Sequence, residues 1–301
     1  MIRNLVLCAA VVSAWFSPAS ARPSNDELKV MSFNIRIDTK ADGPNQWSNR
    51  RDFAANMIRF YDIDIFGAQE VFANQMTDLQ ERLPEYGSIG IGLEDGKSKG
   101  QHDPIFWKKE RFELLDHGFF WFAEDINAIG QRAWDAASPR MGSWAILKDK
   151  ISKRKLFFMN VHIDHIGQVA RRESAKLILD RLGALAGDLP VIVTGDFNAE
   201  PDARESRKIL HVRPETALRN APADPSALYT PFVGLRRQGY GTLVYRDRRQ
   251  LFDYILVSGA FASGNGLRYG GRCGIFVRDY LIHRSGPWKG YPIRTFQAGR
   301  Y

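Results

Sequence analysis

Four apolar runs in this chain each stop on a side chain that can do chemistry, and that recurrence constrains the fold more than any single motif. They are Met31 to Asn34, Ile65 to Glu70, Phe157 to His162 and Val191 to Asp196, the last continuing through Phe197 to Asn198. Each is β-branched or aromatic and short, the pattern of a core strand. Side chains two apart on extended backbone point the same way, so Asp196 and Asn198 can address one substrate together. If all four runs lie in packed sheets, Asn34, Glu70, His162, Asp196 and Asn198 can converge on a single site.

The rest of the chain follows the same rhythm. Strands are expected over residues 28–37, 63–69, 86–90, 104–108, 112–121, 143–148, 155–162, 190–195 and 251–257, bounded by Gly, Pro, Asp or Asn. Helices are fewer. Residues 50–61 put Phe53, Met57 and Phe60 at helical spacing, and residues 74–83 form a short helix. Residues 168–186 are the clearest, with Ala175, Ile178, Leu179, Leu182 and Leu185 on one stripe against Arg171, Arg172, Lys176 and Arg181. Many strands with few long helices predict an α/β protein of two packed, mostly antiparallel sheets with helices outside. Residues 264–301 have no clean period beyond a candidate strand at 274–280.

Residues 1–21 stand apart. Arg3, an apolar stretch from Leu5 to Phe16 and Ala19-Ser20-Ala21 read as a secretory signal peptide, cleaved after Ala21, which takes no part in the fold. The apolar stretch is too short to span a membrane comfortably, so no transmembrane segment is expected after cleavage. Residues 22–301 then form one domain, since no linker composition interrupts them, and a periplasmic or secreted monomer is expected. Cleavage leaves Cys273 as the lone cysteine, so a large apolar core and not a disulfide must hold an exported domain together. The net charge of +8 suits anionic partners such as nucleic acid, small phosphoesters or lipid headgroups. The basic clusters at 153–155, 236–237 and 246–249 fall in separate loops and line no recognition helix.

Phosphate-ester hydrolysis needs positive charge on the phosphoryl oxygens, a base for water and help for the leaving group. Glu70 suits Mg²⁺, which takes one or two carboxylates and keeps several waters, and Asn34 can help place the ion or its water. Asp196 can orient or deprotonate water, Asn198 can donate to a phosphoryl oxygen, and His162 can donate to the phosphate or the leaving oxygen. Asp164 and His165 read as groups that fix the loop behind these. Asp253, inside the apolar run 251–257, needs a nearby partner to be buried. Other chemistries lack their signatures. Gly96-Lys97-Ser98 has no first glycine of a phosphate loop, no Cys or His set completes a zinc site around His162, and Gly-x-Ser-x-Gly is absent.

Taken in order, SFNIR, GAQE, NVHIDH, GDFN and FDYILVS over residues 31–258 resemble the endonuclease/exonuclease/phosphatase superfamily. The run from Asp42 to Trp47, Phe120-Trp121-Phe122, Trp134-Asp135, and His165 with Ala170-Arg171 resemble an exported bacterial branch of it. The resemblance implies a four-layered αββα sandwich of the DNase I-like type and Mg²⁺- or Mn²⁺-dependent hydrolysis of a phosphorylated substrate. By motif, Glu70 would be the metal ligand with Asn34 assisting, and His162, Asp196 and Asn198 would handle phosphate and water. Asp253 would orient a histidine from a final Ser-Asp-His strand. That strand has no counterpart here: residues 290–296 resemble what precedes it, and His283 does not match. If Tyr301 is the true end, the last strand is missing and an impaired, phosphate-binding protein is the expected alternative to an enzyme.

Overall fold

The computed structural model describes residues 9–14, 27–220, 224, 226–245, 248–262 and 269–276. Its first strands are β1 (Ala9–Ala14), β2 (Leu28–Asn34), β3 (Ile65–Gln69), β4 (Tyr86–Ile89) and β5 (Ile105–Lys108). The long central strands follow: β6 (Phe112–Trp121), β7 (Met141–Asp149), β8 (Lys155–His162) and β9 (Val191–Asp196). Shorter ones complete the set: β10 (Arg213–Pro214), β11 (Leu228–Thr230), β12 (Leu243–Tyr245), β13 (Arg248–Gln250), β14 (Asp253–Ser258) and β15 (Arg272–Ile275). One sheet has the order β15-β1-β2-β3-β5-β4, the other β10-β11-β14-β9-β8-β7-β6, with β12-β13 a separate hairpin.

Helices α1 (Trp47–Phe60) and α2 (Ala73–Arg82) cover the outer face of the first sheet. There Met31, Phe33, Phe66 and Ala68 meet Trp47, Ala54, Ile58 and Leu79. The second sheet is covered by α3 (Gln168–Leu185), whose Ala175, Ile178 and Leu182 join the main core. The result is helix, sheet, sheet, helix, the DNase I-like sandwich. Short elements α4 (Glu215–Asn220) and α5 (Phe232–Arg237) lie in the connection to β14.

Between the sheets the side chains change character along the strands. On β2, Leu28 and Val30 are followed by Ser32 and then Asn34; on β9, Ile192 is followed by Thr194 and then Asp196. On β8 the sequence is Phe158, Asn160, His162, paired in register with β9. An apolar layer thus gives way to a neutral polar layer and then to an ionisable one. Asn160 joins the sheets within the polar layer: Nδ2 donates to the carbonyls of Ala68 (2.7 Å) and Pro104 (3.1 Å). Its Oδ1 accepts from Gln69 Nε2 (2.6 Å) and Thr194 Oγ1 (3.0 Å). Gly67 makes room for this. A Cβ there would lie 2.2 Å from Thr194 Oγ1 and 2.3 Å from Asn160 Oδ1.

Two expectations are corrected, and one segment within the expected leader pairs as a strand. Residues 35–37 are not strand, because Arg36 turns left-handed (φ 64°). The core stripe of α1 runs through Trp47, Ala54, Ala55, Met57 and Ile58, leaving Phe53 38% and Phe60 80% exposed. Small alanines let the helix sit close to the sheet, and phenylalanines at those positions would not. Ala9–Ala14, read as leader, forms a strand between β2 and β15. Its β-branched pair Val11-Val12 suits the role, and β2 would otherwise lack a neighbour on that side. The remainder of residues 1–21 and the terminal segment 277–301 lie outside the described residues. No helix among the described residues is long and apolar enough to cross a membrane.

Replacing Asn160 with Leu removes the inter-sheet tie and strips Gln69 and two backbone carbonyls of a short partner. The expected loss is about 2–4 kcal/mol, seen as a lower urea midpoint at unchanged m-value. A loss under about 0.5 kcal/mol would show that the sheets do not depend on this layer.

Candidate active site

Chain direction gathers the candidate residues at one edge of the sandwich. Strands β2 and β3 are parallel, as are β8 and β9, and β14 runs antiparallel to β9. Asn34, His162 and Asp196 are therefore last residues of their strands, Glu70 follows β3 directly, and Asp253 opens β14 beside Asp196. His162 and Asp196 are register partners across β8 and β9. Asn198 lies two residues on, its Nδ2 donating to Ile163 O (2.7 Å) and its own N–H reaching Asp196 Oδ1 (3.0 Å).

The centre is a tight carboxylate pair. Asn34 Nδ2 donates to both Glu70 Oε1 and Asp196 Oδ2, at 3.1 Å each. Its Oδ1 accepts from Arg36 N (3.0 Å), so the amide holds the carboxylates and offers them nitrogen, not oxygen. His162 Nε2 is 3.7 Å from Asp196 Oδ2. Donor atoms of Glu70, His162 and Asp196 all lie within 4.8 Å of one another, and all three residues are buried. Two carboxylates and an imidazole at that spacing can hold a metal ion, and a divalent cation would relieve the repulsion between buried like charges.

The backbone is bent to deliver these groups. Arg36 (φ 64°), Glu70 (φ 62°) and Asn198 (φ 47°) are all left-handed, a costly conformation that persists where surrounding contacts enforce it. Gln75 enforces one: its Oε1 accepts from the N–H groups of Phe72 and Asp38, and its Nε2 donates to Arg36 O. His102 enforces another, bonding Val71 O through both its N–H and ring Nδ1. Glu70 Oε2 also accepts from Ile37 N (3.2 Å), which closes the loop after β2 onto β3.

Several charged groups at the site escape sequence reading. Asp103 is fully buried, with Oδ1 4.0 Å from His162 Nδ1. Burial raises its carboxyl well above the usual range, the Arg140 charge opposes that, and Glu70 and Asp196 add to it. Arg36 lies 4.0 Å from Glu70 and donates to buried Asp42 through Nε and Nη2. Arg140 is buried, donating through Nε to Asp164 (3.3 Å) and meeting His165 Nδ1 through Nη2 (3.0 Å). Burial would raise the Asp164 carboxyl, but the N–H groups of Gly167 and Ile166, and Arg140, hold it below the usual range. The available signal for Asp103 was a carboxylate directly before the apolar strand that opens at Pro104. Arg140 carried none, because its partners are 24 and 25 residues away. The final Ser-Asp-His strand whose histidine Asp253 would orient has no counterpart in this sequence, and residues 277–301 lie outside the described residues.

Known proteins share this fold. The family model described as Endonuclease/Exonuclease/phosphatase family matches residues 166–301. The solved endonuclease/exonuclease/phosphatase from Bacteroides vulgatus is 33% identical, with 76% of this chain and 86% of that one covered and a TM-score of 0.63. A mannosyl-6-phosphatase from Bacteroides thetaiotaomicron is 31% identical, with 77% and 85% covered and a TM-score of 0.61. Carbon catabolite repressor protein 4 homolog 5 of Arabidopsis thaliana is 25% identical over 225 residues, 65% of this chain; the match spans 47% of that longer protein. With a third of its residues identical to a solved member across most of that member's length and the same sandwich fold, this chain belongs to the endonuclease/exonuclease/phosphatase family.

Proposed function

We propose that this chain is an exported hydrolase of phosphate esters that depends on Mg²⁺ or Mn²⁺. The observation that carries the reading is the convergence of Glu70, His162 and Asp196 within 4.8 Å, all buried at one edge of the sandwich. Glu70 and Asp196 would hold the ion, with Asn34 fixing the pair. A bound divalent ion supplies charge neutralisation at the phosphoryl oxygens. Export rests on Arg3, the apolar stretch and Ala19-Ser20-Ala21.

The residues divide the remaining work. Asp196 accepts a proton from the attacking water, whose oxygen bonds to phosphorus as the ester oxygen leaves and takes a proton from solvent. In an in-line displacement the entering and leaving oxygens lie on opposite sides of phosphorus. His162, close beside Asp196, is therefore better placed to donate to a non-bridging phosphoryl oxygen than to the leaving one. Asp103 faces the far nitrogen of His162 and orients its ring. Asn198 adds a neutral contact to the phosphate, and Arg36 a positive one. Asp253 stands beside Asp196 and limits how the latter can turn. The mannosyl-6-phosphatase relative favours a small phosphomonoester, while net positive charge admits nucleic acid or a lipid headgroup as well.

Three outcomes test this. Mature protein recovered after export begins at Arg22 by N-terminal sequencing; retention of residues 1–21 removes the exported reading. In thermal unfolding, Mg²⁺ or Mn²⁺ at a hundred times Kd stabilises the wild type by about 2.7 kcal/mol, a rise of roughly 5–10 °C. Glu70→Gln raises the metal-free midpoint by easing repulsion with Asp196 and loses the metal response; an undiminished response shows that the ion binds elsewhere. With p-nitrophenyl phosphate or its bis ester, Asp196→Ala and His162→Ala each lower kcat/KM by at least about 100-fold. Phosphate binding without turnover in the wild type would instead identify a non-catalytic binding protein.

A further inference from the structure

A buried carboxylate between two guanidinium groups lies at one end of the site. Asp42 has Arg36 Nε and Nη2 each 3.4 Å from its oxygens, and Arg50 Nη2 at 4.0 Å. Arg50 is held by backbone: Nε donates to Asn45 O (2.5 Å) and Nη1 to Ile35 O (2.7 Å). Burial lowers the Arg50 guanidinium below its ordinary range, and the Asp42 charge is what most opposes that. The cluster therefore carries two positive charges on one negative, and Asp42 keeps a cation if Arg36 leaves it. Arg36 is held differently. Its N–H donates to Asn34 Oδ1 (3.0 Å) and its carbonyl accepts from Gln75 Nε2 (2.8 Å), while its side chain makes two long bonds to Asp42. The base of the residue is pinned and its head is exchangeable.

The remaining nitrogen of that head faces the carboxylate pair. Nη1 is 4.0 Å from Glu70 Oε2; among the described residues it has no hydrogen-bond partner, and 18% of the side chain is exposed. A chain of contacts runs inward from there. Glu70 Oε1 and Asp196 Oδ2 share Asn34 Nδ2, and Asp196 Oδ2 is 3.7 Å from His162 Nε2. The pair is thus flanked by an imidazole on the Asp196 side and a guanidinium on the Glu70 side. A phosphate held over the pair lies between the two.

In an in-line displacement three oxygens surround phosphorus between the entering and leaving ones. A monoester leaves all three unesterified and charged, whereas a diester ties one to a second alcohol. Glu70 and Asp196, through the ion they would hold, account for one, and His162 with Asn198 for a second. We propose that Arg36 reads the third, exchanging its long bonds to Asp42 for a charge-assisted pair on the phosphate, and so selects phosphomonoesters over diesters. This assignment rests on the proposed hydrolase reading and names the substrate class within it. An esterified oxygen is uncharged, accepts weakly and brings an alkyl group against the guanidinium. Asp42 and Arg50 are positioning residues. Asp42 holds Arg36 at the rim before substrate arrives, and Arg50 keeps that carboxylate neutralised once Arg36 has turned away.

The test compares full-length wild type, Arg36→Met and Arg36→Lys, with Mg²⁺ present, on p-nitrophenyl phosphate and its bis ester. Arg36→Met lowers the ratio of kcat/KM, monoester over diester, by about 10- to 100-fold, the size of one charge-assisted hydrogen bond. The Lys variant, which keeps the charge, recovers part of the ratio. Should Arg36→Met not fold, Arg36→Gln, neutral but polar, takes its place with the same expected direction. Equal losses on both esters, the result if Arg36 merely steadies Glu70, overturn the assignment, and so does a wild type that favours the bis ester. If the wild type turns over neither ester, the hydrolase reading fails, and calorimetry with Mg²⁺ decides this one separately. Arg36→Met then weakens inorganic phosphate by the same factor and dimethyl phosphate, a doubly esterified monoanion, much less. Equal weakening, or no binding of inorganic phosphate by the wild type, overturns it.

Discussion

The amide of Asn160 is the contact on which the rest of the molecule turns. It lies one layer below the ionisable groups and satisfies donors and acceptors from both sheets at once. A purely apolar interior would pack the sheets but leave their relative sliding weakly specified. Four directional bonds in a dry layer fix the offset between β3 and β8, and with it the separation of Glu70 from His162 and Asp196. Gly67 is the geometric condition for that layer, since any side chain there would push the sheets apart. Core stability and site geometry are therefore one constraint expressed at two depths.

Above that layer the molecule accepts unfavourable arrangements that a purely structural protein would avoid. Three left-handed residues, Arg36, Glu70 and Asn198, surround a pair of carboxylates separated only by one amide group. Asp103 and Asp253 add buried acids nearby. Such strain and repulsion are tolerated because helix α2, the Gln75 amide and the His102–Val71 bridge over-determine the backbone around Glu70. The arrangement makes sense for a centre that gains its balancing charge from a bound cation.

What could be read from the sequence was what depends on local pattern. Strands β6 and β8 match their expected limits to the residue, and α3 does so within one, because alternation and helical stripe are written in neighbouring side chains. The strand-end residues were also readable, since an apolar run closing on a polar group shows in a few letters. Pairings made by the fold were not. Asp103 with His162, Arg140 with His165 and Arg36 with Asp42 join groups whose neighbours in sequence say nothing of the partner. The short β10 to β13 escaped for a related reason: two or three residues hold a strand pairing only because β14 or each other is already in place. The strand at Ala9–Ala14 escaped because a leader and a β-branched strand share the same apolar composition.

Rigidity is unevenly distributed around the site, and the unevenness has a chemical meaning. On the His165 side, Asp135 holds the first turn of α3 from a different loop, Asp164 fixes its own turn, and Trp121 Nε1 bonds Leu93 O to tie residues 92–101 against the 122–140 segment. On the Arg36 side, the cation is held by two bonds of 3.4 Å to Asp42, long enough to be exchanged for a stronger partner. A phosphate dianion is such a partner. The fold thus sets a tightly bonded loop on one side of the site and a more loosely held cation on the other.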